Sequence, residues 1–300
     1  MILVTGGLGY IGSHLVVDLL NDNHEVIILD NLSRSDISVL DHIKTITGKS
    51  PIFFRGCISD IALLQNIIDN HVITHLIHLA GLKSIKESVR NPELYFDNNI
   101  NKTIILIEYL INAGLKNIIF SSSATVYAPS DQPLTENSPT GPLSTYGSTK
   151  LFVEDVLKNI SIQKPDLNIT ILRYFNPIGQ HPSGLLFDNG ADNIYPNIKK
   201  ALETNSTFFV YGDDYPTPDG TCIRDYIQIA ELTKYHKIFL TNSIPGYEIY
   251  NIGTGVGKSV LDVISEFSNL VYEIKPKRTG DPSILLCDVS KIITVQQTNL

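Results

Sequence analysis

The sequence has no tract of basic residues, and its formal net charge is −8. That balance excludes nucleic acid as an expected partner, because a polyanion is gripped by clustered cations. Cysteine is scarce. Cys57, Cys222 and Cys287 are scattered and odd in number, which excludes a disulfide framework and points to a reducing compartment. No apolar run approaches the roughly 20 residues that span a bilayer. No basic and then apolar leader precedes the first strand-like residues. The expectation is a soluble, cytoplasmic protein without a membrane partner. There is neither an internal repeat nor a low-complexity tract. What the chain does have is 300 residues, 43% of them hydrophobic, enough for one large domain or two smaller ones with a developed core.

The most informative stretch is Met1-Ile2-Leu3-Val4-Thr5-Gly6-Gly7-Leu8-Gly9-Tyr10-Ile11-Gly12. An apolar strand ends in glycines spaced Gly6-x-x-Gly9-x-x-Gly12, and Ile11, Leu15, Val16, Leu19 and Leu20 follow at helical spacing. Strand, glycine turn and helix together make an anion site. The glycines let a pyrophosphate approach the backbone, and the helix N-terminus offers free N–H groups and a positive dipole end. The next strand, Glu25-Val26-Ile27-Ile28-Leu29-Asp30, ends in an acid about 20 residues on, where a ribose 2′-hydroxyl needs an acceptor. Such an acid repels the extra phosphate of NADP, so NAD is the expected cofactor. Asp30 as a mere strand-end cap is the bland alternative.

Strand and helix keep alternating. Pro51-Ile52-Phe53-Phe54-Arg55, His75-Leu76-Ile77-His78-Leu79-Ala80-Gly81, Asn117-Ile118-Ile119-Phe120-Ser121-Ser122-Ser123 and Asn168-Ile169-Thr170-Ile171-Leu172-Arg173-Tyr174-Phe175-Asn176 read as strands. A long helix is predicted from about Pro92 to Ala113. This order implies an α/β, Rossmann-like, doubly wound parallel sheet with ligands beyond the carboxyl ends of its strands. The texture then turns rich in Pro, Gly, Asp and Asn over 177–222, and Tyr247-Glu248-Ile249-Tyr250-Asn251-Ile252 reads as a late strand. The expected division is an NAD-binding domain over 1–175 with a return segment near 224–252, and a smaller C-terminal substrate-binding lobe over 176–300.

Tyr146 and Lys150 lie four apart at the start of a helix and so share one face. A neighbouring ammonium favours the phenolate, which gives a base able to work near neutrality. Ser123, at a strand end, can bridge a substrate hydroxyl to the phenol. These parts suit removal of a proton from an alcohol while hydride leaves its carbon for NAD. Two patterns are decoys. Gly253-Thr254-Gly255-Val256-Gly257-Lys258-Ser259 lacks the glycine at Ile252 that a phosphate loop requires. His75 and His78 are three apart on a strand and point to opposite faces, so no metal is expected.

The chain resembles the extended short-chain dehydrogenase/reductase superfamily and, within it, the UDP-glucose 4-epimerases. The resemblance rests on Thr5-Gly6-Gly7-Leu8-Gly9-Tyr10-Ile11-Gly12-Ser13-His14, Leu29-Asp30-Asn31-Leu32, His78-Leu79-Ala80-Gly81-Leu82-Lys83, Ser121-Ser122-Ser123-Ala124-Thr125-Val126-Tyr127, Leu172-Arg173-Tyr174-Phe175-Asn176-Pro177, Tyr211-Gly212-Asp213-Asp214-Tyr215-Pro216-Thr217 and Arg224-Asp225-Tyr226. It implies interconversion of UDP-galactose and UDP-glucose through a transient 4-keto sugar, with hydride passed to and from tightly bound NAD. Catalysis would fall to Tyr146, Lys150 and Ser123. NAD would be held by Gly6, Gly9, Tyr10, Ile11 and Gly12, by Asp30 and Asn31, by Leu79, Ala80, Gly81 and Lys83, and by Asn98, Ser121, Tyr146, Lys150 and Tyr174. The UDP-sugar would meet Lys83, Ser123, Thr125, Tyr146, Phe175 and Asn176, then Asn193, Tyr211, Arg224, Arg278 and Asp281. The two arginines suit phosphate, which a guanidinium fork matches.

Related readings are a UDP-GlcNAc 4-epimerase, a sugar-nucleotide 4,6-dehydratase, or a non-catalytic NAD/UDP-sugar-binding protein. Dehydratases carry acids where this chain has Ala124 and Thr125. Leu285, of intermediate bulk, leans toward unacetylated sugars. Cys57 stands where the family usually has an Asp contacting adenine, and Lys102 stands where a glycine is common. The family also implies a homodimer through the long helix from Pro92 and the Tyr146 helix.

Overall fold

Ile2 and Val4 pack to one side of the first strand and Leu3 to the other, and all three are buried. A strand covered on both faces needs helices on both, and the chain supplies them in turn. A computed structural model describes residues 1–188, 190, 193–241, 245–278 and 281–298. The order is β1 (Ile2–Thr5), α1 (Tyr10–Asn21), β2 (Val26–Asp30), α2 (Val39–Thr47), β3 (Ile52–Arg55), α3 (Ile61–Asn70), β4 (His75–His78), α4 (Ile85–Arg90), α5 (Pro92–Tyr95), α6 (Lys102–Asn112), β5 (Asn117–Ser123), α7 (Thr145–Gln163) and β6 (Asn168–Tyr174). There follow β7 (Asn176–Ile178), α8 (Ile194–Glu203), β8 (Phe208–Tyr211), β9 (Ile223–Gln228), α9 (Ile229–Thr241), β10 (Gly246–Ile252), β11 (Gly257–Ser259), α10 (Val260–Ser265), β12 (Tyr272–Lys275), β13 (Ile284–Leu285) and α11 (Ser290–Thr298).

Among the described residues, the central sheet has seven strands in the order β10-β6-β5-β4-β1-β2-β3, all paired in parallel. One core, with Leu15, Val16 and Leu19 of α1, Ile43 of α2 and Leu232 and Phe239 of α9, covers the face that Ile2 and Val4 present. The other, with Leu64 of α3, Leu106 and Leu110 of α6 and Val153 and Leu157 of α7, covers the face of Leu3, Ile27 and Leu29. Smaller sheets lie beyond it: β9 pairs with β7, β11 and β13, and β8 pairs with β12. Among the described residues no helix is long and apolar enough to cross a membrane.

The structure refines two sequence expectations. The helix from Pro92 is interrupted by a π-helical turn over Phe96–Asn101, the kind of local widening that often marks a functional site. That turn buries Asn99, whose amide donates to the Leu82 carbonyl (2.9 Å) and accepts from the Leu82 N–H (2.9 Å). Lys102 pairs with Asp97 across the same turn at 2.6 Å. The glycine-rich loop after β10 does cradle an anion, but an internal one. The fully buried Asp225 carboxylate accepts from the N–H groups of Thr254 (2.8 Å) and Gly255 (2.8 Å).

A buried ion pair fixes α7 to the sheet. Arg173 of β6 donates from Nε (3.0 Å) and Nη2 (2.5 Å) to Glu154 of α7, both nearly inaccessible to solvent. Ser122 donates to the same carboxylate, and the guanidinium lies over the Tyr127 ring, 4.7 Å from its centre. Breaking such a pair leaves a charge buried without compensation. Glu154→Ala is therefore expected to cost about 3–5 kcal/mol of unfolding free energy in urea titrations. A loss below about 1 kcal/mol, the range of an exposed pair, would contradict this.

Candidate active site

The sheet order reverses between β1 and β4, and a cleft opens there beyond their carboxyl ends. It is lined by Gly6, Gly9, Asp30 and Asn31, by Gly56, Cys57 and Ile58, and by Leu79, Ala80, Gly81 and Asn98. Gly6 has φ +69°, and a Cβ there would lie 2.8 Å from the backbone of Ala80. One at Gly12 would lie 2.3 Å from the Gly6 carbonyl. A side chain at either place would push the turn off the strand it packs on. The bare backbone and the open N-terminus of α1 make a cradle for a pyrophosphate. The donor set therefore fits a dinucleotide.

Asp30 caps the end of its strand and also lines the cleft. Its carboxylate accepts from the N–H groups of Leu8 (3.1 Å) and Leu32 (2.9 Å) and from Ser35 Oγ (2.9 Å). It thus ties the glycine loop to the end of β2 while facing the cleft. Cys57 occupies the far wall, with Sγ 3.3 Å from Ser59 Oγ. Asp60, next in the chain, is spent capping α3 through Leu63 N–H (3.1 Å).

Tyr146 and Lys150 rise from the first turns of α7, whose N-cap Ser144 accepts from Gly147 N–H (3.1 Å). Ser123 ends β5 beside them. Its Oγ accepts from Thr125 N–H (3.2 Å) and Thr125 Oγ1 (3.0 Å), which leaves its own proton for the Tyr146 oxygen. Burial pushes the Tyr146 phenol up to about 12, and the Ser123 hydrogen bond pulls the other way. The lowering expected from the ammonium one turn on is not part of that balance. Lys150 Nζ donates instead to the Ser121 carbonyl (2.6 Å) and stands over the Phe120 ring (4.8 Å). Burial pulls it down to about 8, and Glu154 pulls it up. Lys150 also reaches the cleft, since a Cβ on Gly81 would lie 3.6 Å from Nζ.

Tyr174, at the end of β6, donates to His236 Nε2 of α9 (2.6 Å), whose Nδ1 lies 3.1 Å from the Leu232 carbonyl. Burial pulls His236 down to about 4, so the imidazole is neutral and accepts. Nothing in the sequence around His236 pointed to this partnership. His78, considered for metal, is buried between Thr5 (2.7 Å) and Thr103 (2.9 Å).

Others of the residues expected to meet a UDP-sugar lie in and around the smaller sheets. Arg278 stacks on Tyr211, 3.7 Å from the ring centre, and its buried Nε has no hydrogen-bond partner among the described residues. Lys86 of α4 approaches the same ring at 5.9 Å. Arg224 of β9 donates to its neighbour's carbonyl at Ile223 (2.9 Å). Asn176 donates to the Asp225 carbonyl (3.0 Å), and the Asp281 N–H donates to the Arg278 carbonyl (3.4 Å). Phe175 packs with Ala124, Val126 and Leu285 in a separate apolar cluster. Lys83 and Asn193 both contact Asp188, a residue not singled out from sequence. Its neighbour at 189 lies outside the described residues. The structure thus brings Ser123, Tyr146 and Lys150 together at one edge of the cleft, and pairs Tyr211 with Arg278.

The NAD dependent epimerase/dehydratase family matches residues 2–253. A curated UDP-glucose 4-epimerase of Yersinia enterocolitica is 46% identical over 291 residues, covering 93% of this chain and 87% of the relative. One from Neisseria meningitidis serogroup B is 44% identical over 302 residues, covering 96% and 89%. The crystal structure of UDP-glucose 4-epimerase from Bifidobacterium longum in complex with NAD+ and UDP superposes with a TM-score of 0.93 at 41% identity, covering 98% of this chain and 91% of that one.

Lys150 gives a signed expectation for stability. A lysine whose value falls from 10.5 to about 8 on folding is penalised while charged. The penalty is full below pH 8 and vanishes above the ordinary lysine value. Lys150→Met is therefore expected to melt several degrees higher than the parent at pH 7, with the gap closing as pH climbs past 10. A lower melting temperature at pH 7, with a gap that ignores pH, would contradict the burial of an ammonium there.

Proposed function

The chain belongs to the NAD dependent epimerase/dehydratase family, and we propose that it interconverts UDP-galactose and UDP-glucose through a transient 4-keto sugar. The observation that carries this reading is the cluster of Ser123, Tyr146 and Lys150 at the edge of a dinucleotide-shaped cleft. When bound, NAD supplies a hydride acceptor that returns the same hydride to sugar C4, so configuration inverts without net redox change.

The chain's own residues hold the cofactor and manage the proton. Gly6, Gly9, Tyr10, Ile11 and Gly12 present the turn and helix N-terminus to the pyrophosphate. Asp30 and Asn31 take the adenosine ribose. Leu79, Ala80, Gly81, Lys83, Asn98, Ser121 and Tyr174 enclose the remainder. Tyr146 accepts the 4-hydroxyl proton, with Ser123 donating to the developing phenolate. Lys150 adds positive charge and a ribose contact. Phe175, Asn176, Asn193, Tyr211, Arg224, Arg278 and Asp281 hold the UDP-sugar, along with Lys83 and Thr125. The unpartnered Nε of Arg278 supports its part, since a buried donor without an acceptor is costly unless a ligand supplies one. The functional division runs at 1–175 and 176–300, with the segment near 224–252 returning to the sheet.

Ala124 and Thr125 provide no acid for dehydration, which favours epimerisation. Leu285, packed near Phe175 and Ala124, favours unacetylated hexoses. The UDP-Glc/GlcNAc 4-epimerase of Campylobacter jejuni, 33% identical with a TM-score of 0.82 and covering 98% and 92% of the two chains, makes acetylated sugars the second reading. Leu94 and Phe96 on the Pro92 helix and Phe152 on α7 are exposed apolar side chains, which supports a homodimer through these helices. The place of action is the cytoplasm.

The test is conversion of UDP-galactose by purified protein with no NAD added, beside UDP-GalNAc. Turnover of the plain sugar is expected, with product of unchanged mass. Tyr146→Phe is expected to lower kcat about 10²–10⁴-fold, the usual worth of a positioned base, while bound NAD is retained. An NAD-loaded, folded protein that converts neither sugar would contradict the proposal.

A further inference from the structure

Asp188 lies on the segment between β7 and α8. Its side chain is 8% exposed, and a buried carboxylate is unfavourable unless donors surround it. Three do: two from the same segment of chain, Gly190 and Asn193, and one from far away in the sequence, Lys83. Lys83, from the loop after β4, places Nζ 3.6 Å from Oδ1. The Gly190 N–H donates to the same oxygen at 2.8 Å. Asn193 donates to Oδ2 through its side-chain amide.

Two details show that this grouping is built. Asn193 is the N-cap of α8, where an asparagine ordinarily turns its side chain onto its own helix. Here it makes no such bond, and the amide goes to Asp188. Gly190 lies against the pair, and a Cβ on it would sit 2.9 Å from Asp188 Oδ1 and 3.3 Å from Lys83 Nζ. The missing side chain leaves room for the ion pair. The ammonium also lies 5.9 Å from the centre of the Tyr10 ring, and Tyr10 donates to the Gly179 carbonyl (2.8 Å). The cluster is thus anchored at the N-terminus of α1.

We propose that Asp188 is a positioning residue that ties Lys83 to Asn193, so that the diphosphate of a UDP-sugar meets both donors already in place. This rests on the reading of the protein as a UDP-sugar enzyme. Charge alone argues the opposite, because a carboxylate beside an anion site repels the ligand. The Lys83 ammonium offsets that repulsion, and a lysine more than half exposed has much rotamer freedom to lose. Holding it and the Asn193 amide before binding moves that loss into folding. Pre-placement and repulsion therefore make opposite forecasts for removal of the carboxylate.

The experiment is titration of NAD-loaded enzyme with UDP by calorimetry, together with kcat and KM for UDP-galactose. Asp188→Ala is expected to weaken UDP binding about tenfold, near the loss of one charge-assisted hydrogen bond, with kcat falling by a much smaller factor. Asp188→Asn keeps an acceptor for Gly190 and Asn193 and should lose less. Asn193→Ala removes a donor itself and so should weaken UDP binding further when added to Asp188→Ala, but the two losses together should fall short of their sum, because part of each is the shared positioning. Gly190→Ala crowds the pair and should also weaken UDP binding, which keeps the test available if Asp188→Ala does not fold. UDP bound as well as by the parent, or more tightly, in the Asp188 variants would overturn the proposal and leave the epimerase reading intact. A lowered melting temperature with unchanged UDP affinity would assign a purely structural role and overturn it too. Failure of the parent itself to bind UDP would overturn the reading beneath it.

Discussion

Burial of the Tyr146 phenol poses the problem that the surrounding structure answers. A phenol sheltered from water gives up its proton less readily, and burial here pushes Tyr146 up to about 12. Such a group is no base at neutral pH unless charge and hydrogen bonds are brought to it. Ser123 brings the hydrogen bond, because Thr125 occupies the lone pairs of its oxygen and so directs its proton toward the phenol. Lys150 brings positive charge, held by the Ser121 carbonyl at the wall of the cleft. A cationic nicotinamide beside the phenol would add the rest.

The rest of the fold keeps those groups in register. Tyr146 and Lys150 sit on α7, Ser123 on β5 and Tyr174 on β6. The Arg173–Glu154 pair, with Ser122, locks these three elements together one turn behind the chemistry. Glu154 also favours the charged state of Lys150, so a buried structural pair is coupled to the site. On the other side of the sheet, Asp225 gathers the backbone amides of the 254–255 loop. That loop carries the chain from the end of β10 to β11, whose partner β9 bears Arg224.

Much of this was legible in the sequence because it depends on local pattern. Strand and helix periodicity gave the doubly wound sheet, and the glycine spacing with Asp30 gave the cleft. The step from Tyr146 to Lys150 gave a shared helical face. What stayed hidden involves long sequence separation. Asp188 and Lys83 are remote in the chain, as are Tyr174 and His236, and no motif surrounds either pairing. The π turn at Phe96–Asn101 was hidden too, because its cause is a tertiary bond from Asn99 to the Leu82 backbone. The expected lowering of Tyr146 by Lys150 is not among the effects on the phenol, since spacing along a helix says nothing of burial or of the carbonyl that the ammonium takes instead. The phosphate-loop resemblance after β10 had a physical basis that sequence alone could not assign, an internal carboxylate in place of a ligand.

The most direct measurement is the ultraviolet titration of tyrosinate in the NAD-loaded and NAD-free protein, with Tyr146→Phe as the subtraction. The account requires the Tyr146 signal to appear near pH 12 without cofactor and to move down by several pH units, toward neutrality, when NAD is bound. A Tyr146 signal that stays at the same high pH in both forms would contradict it.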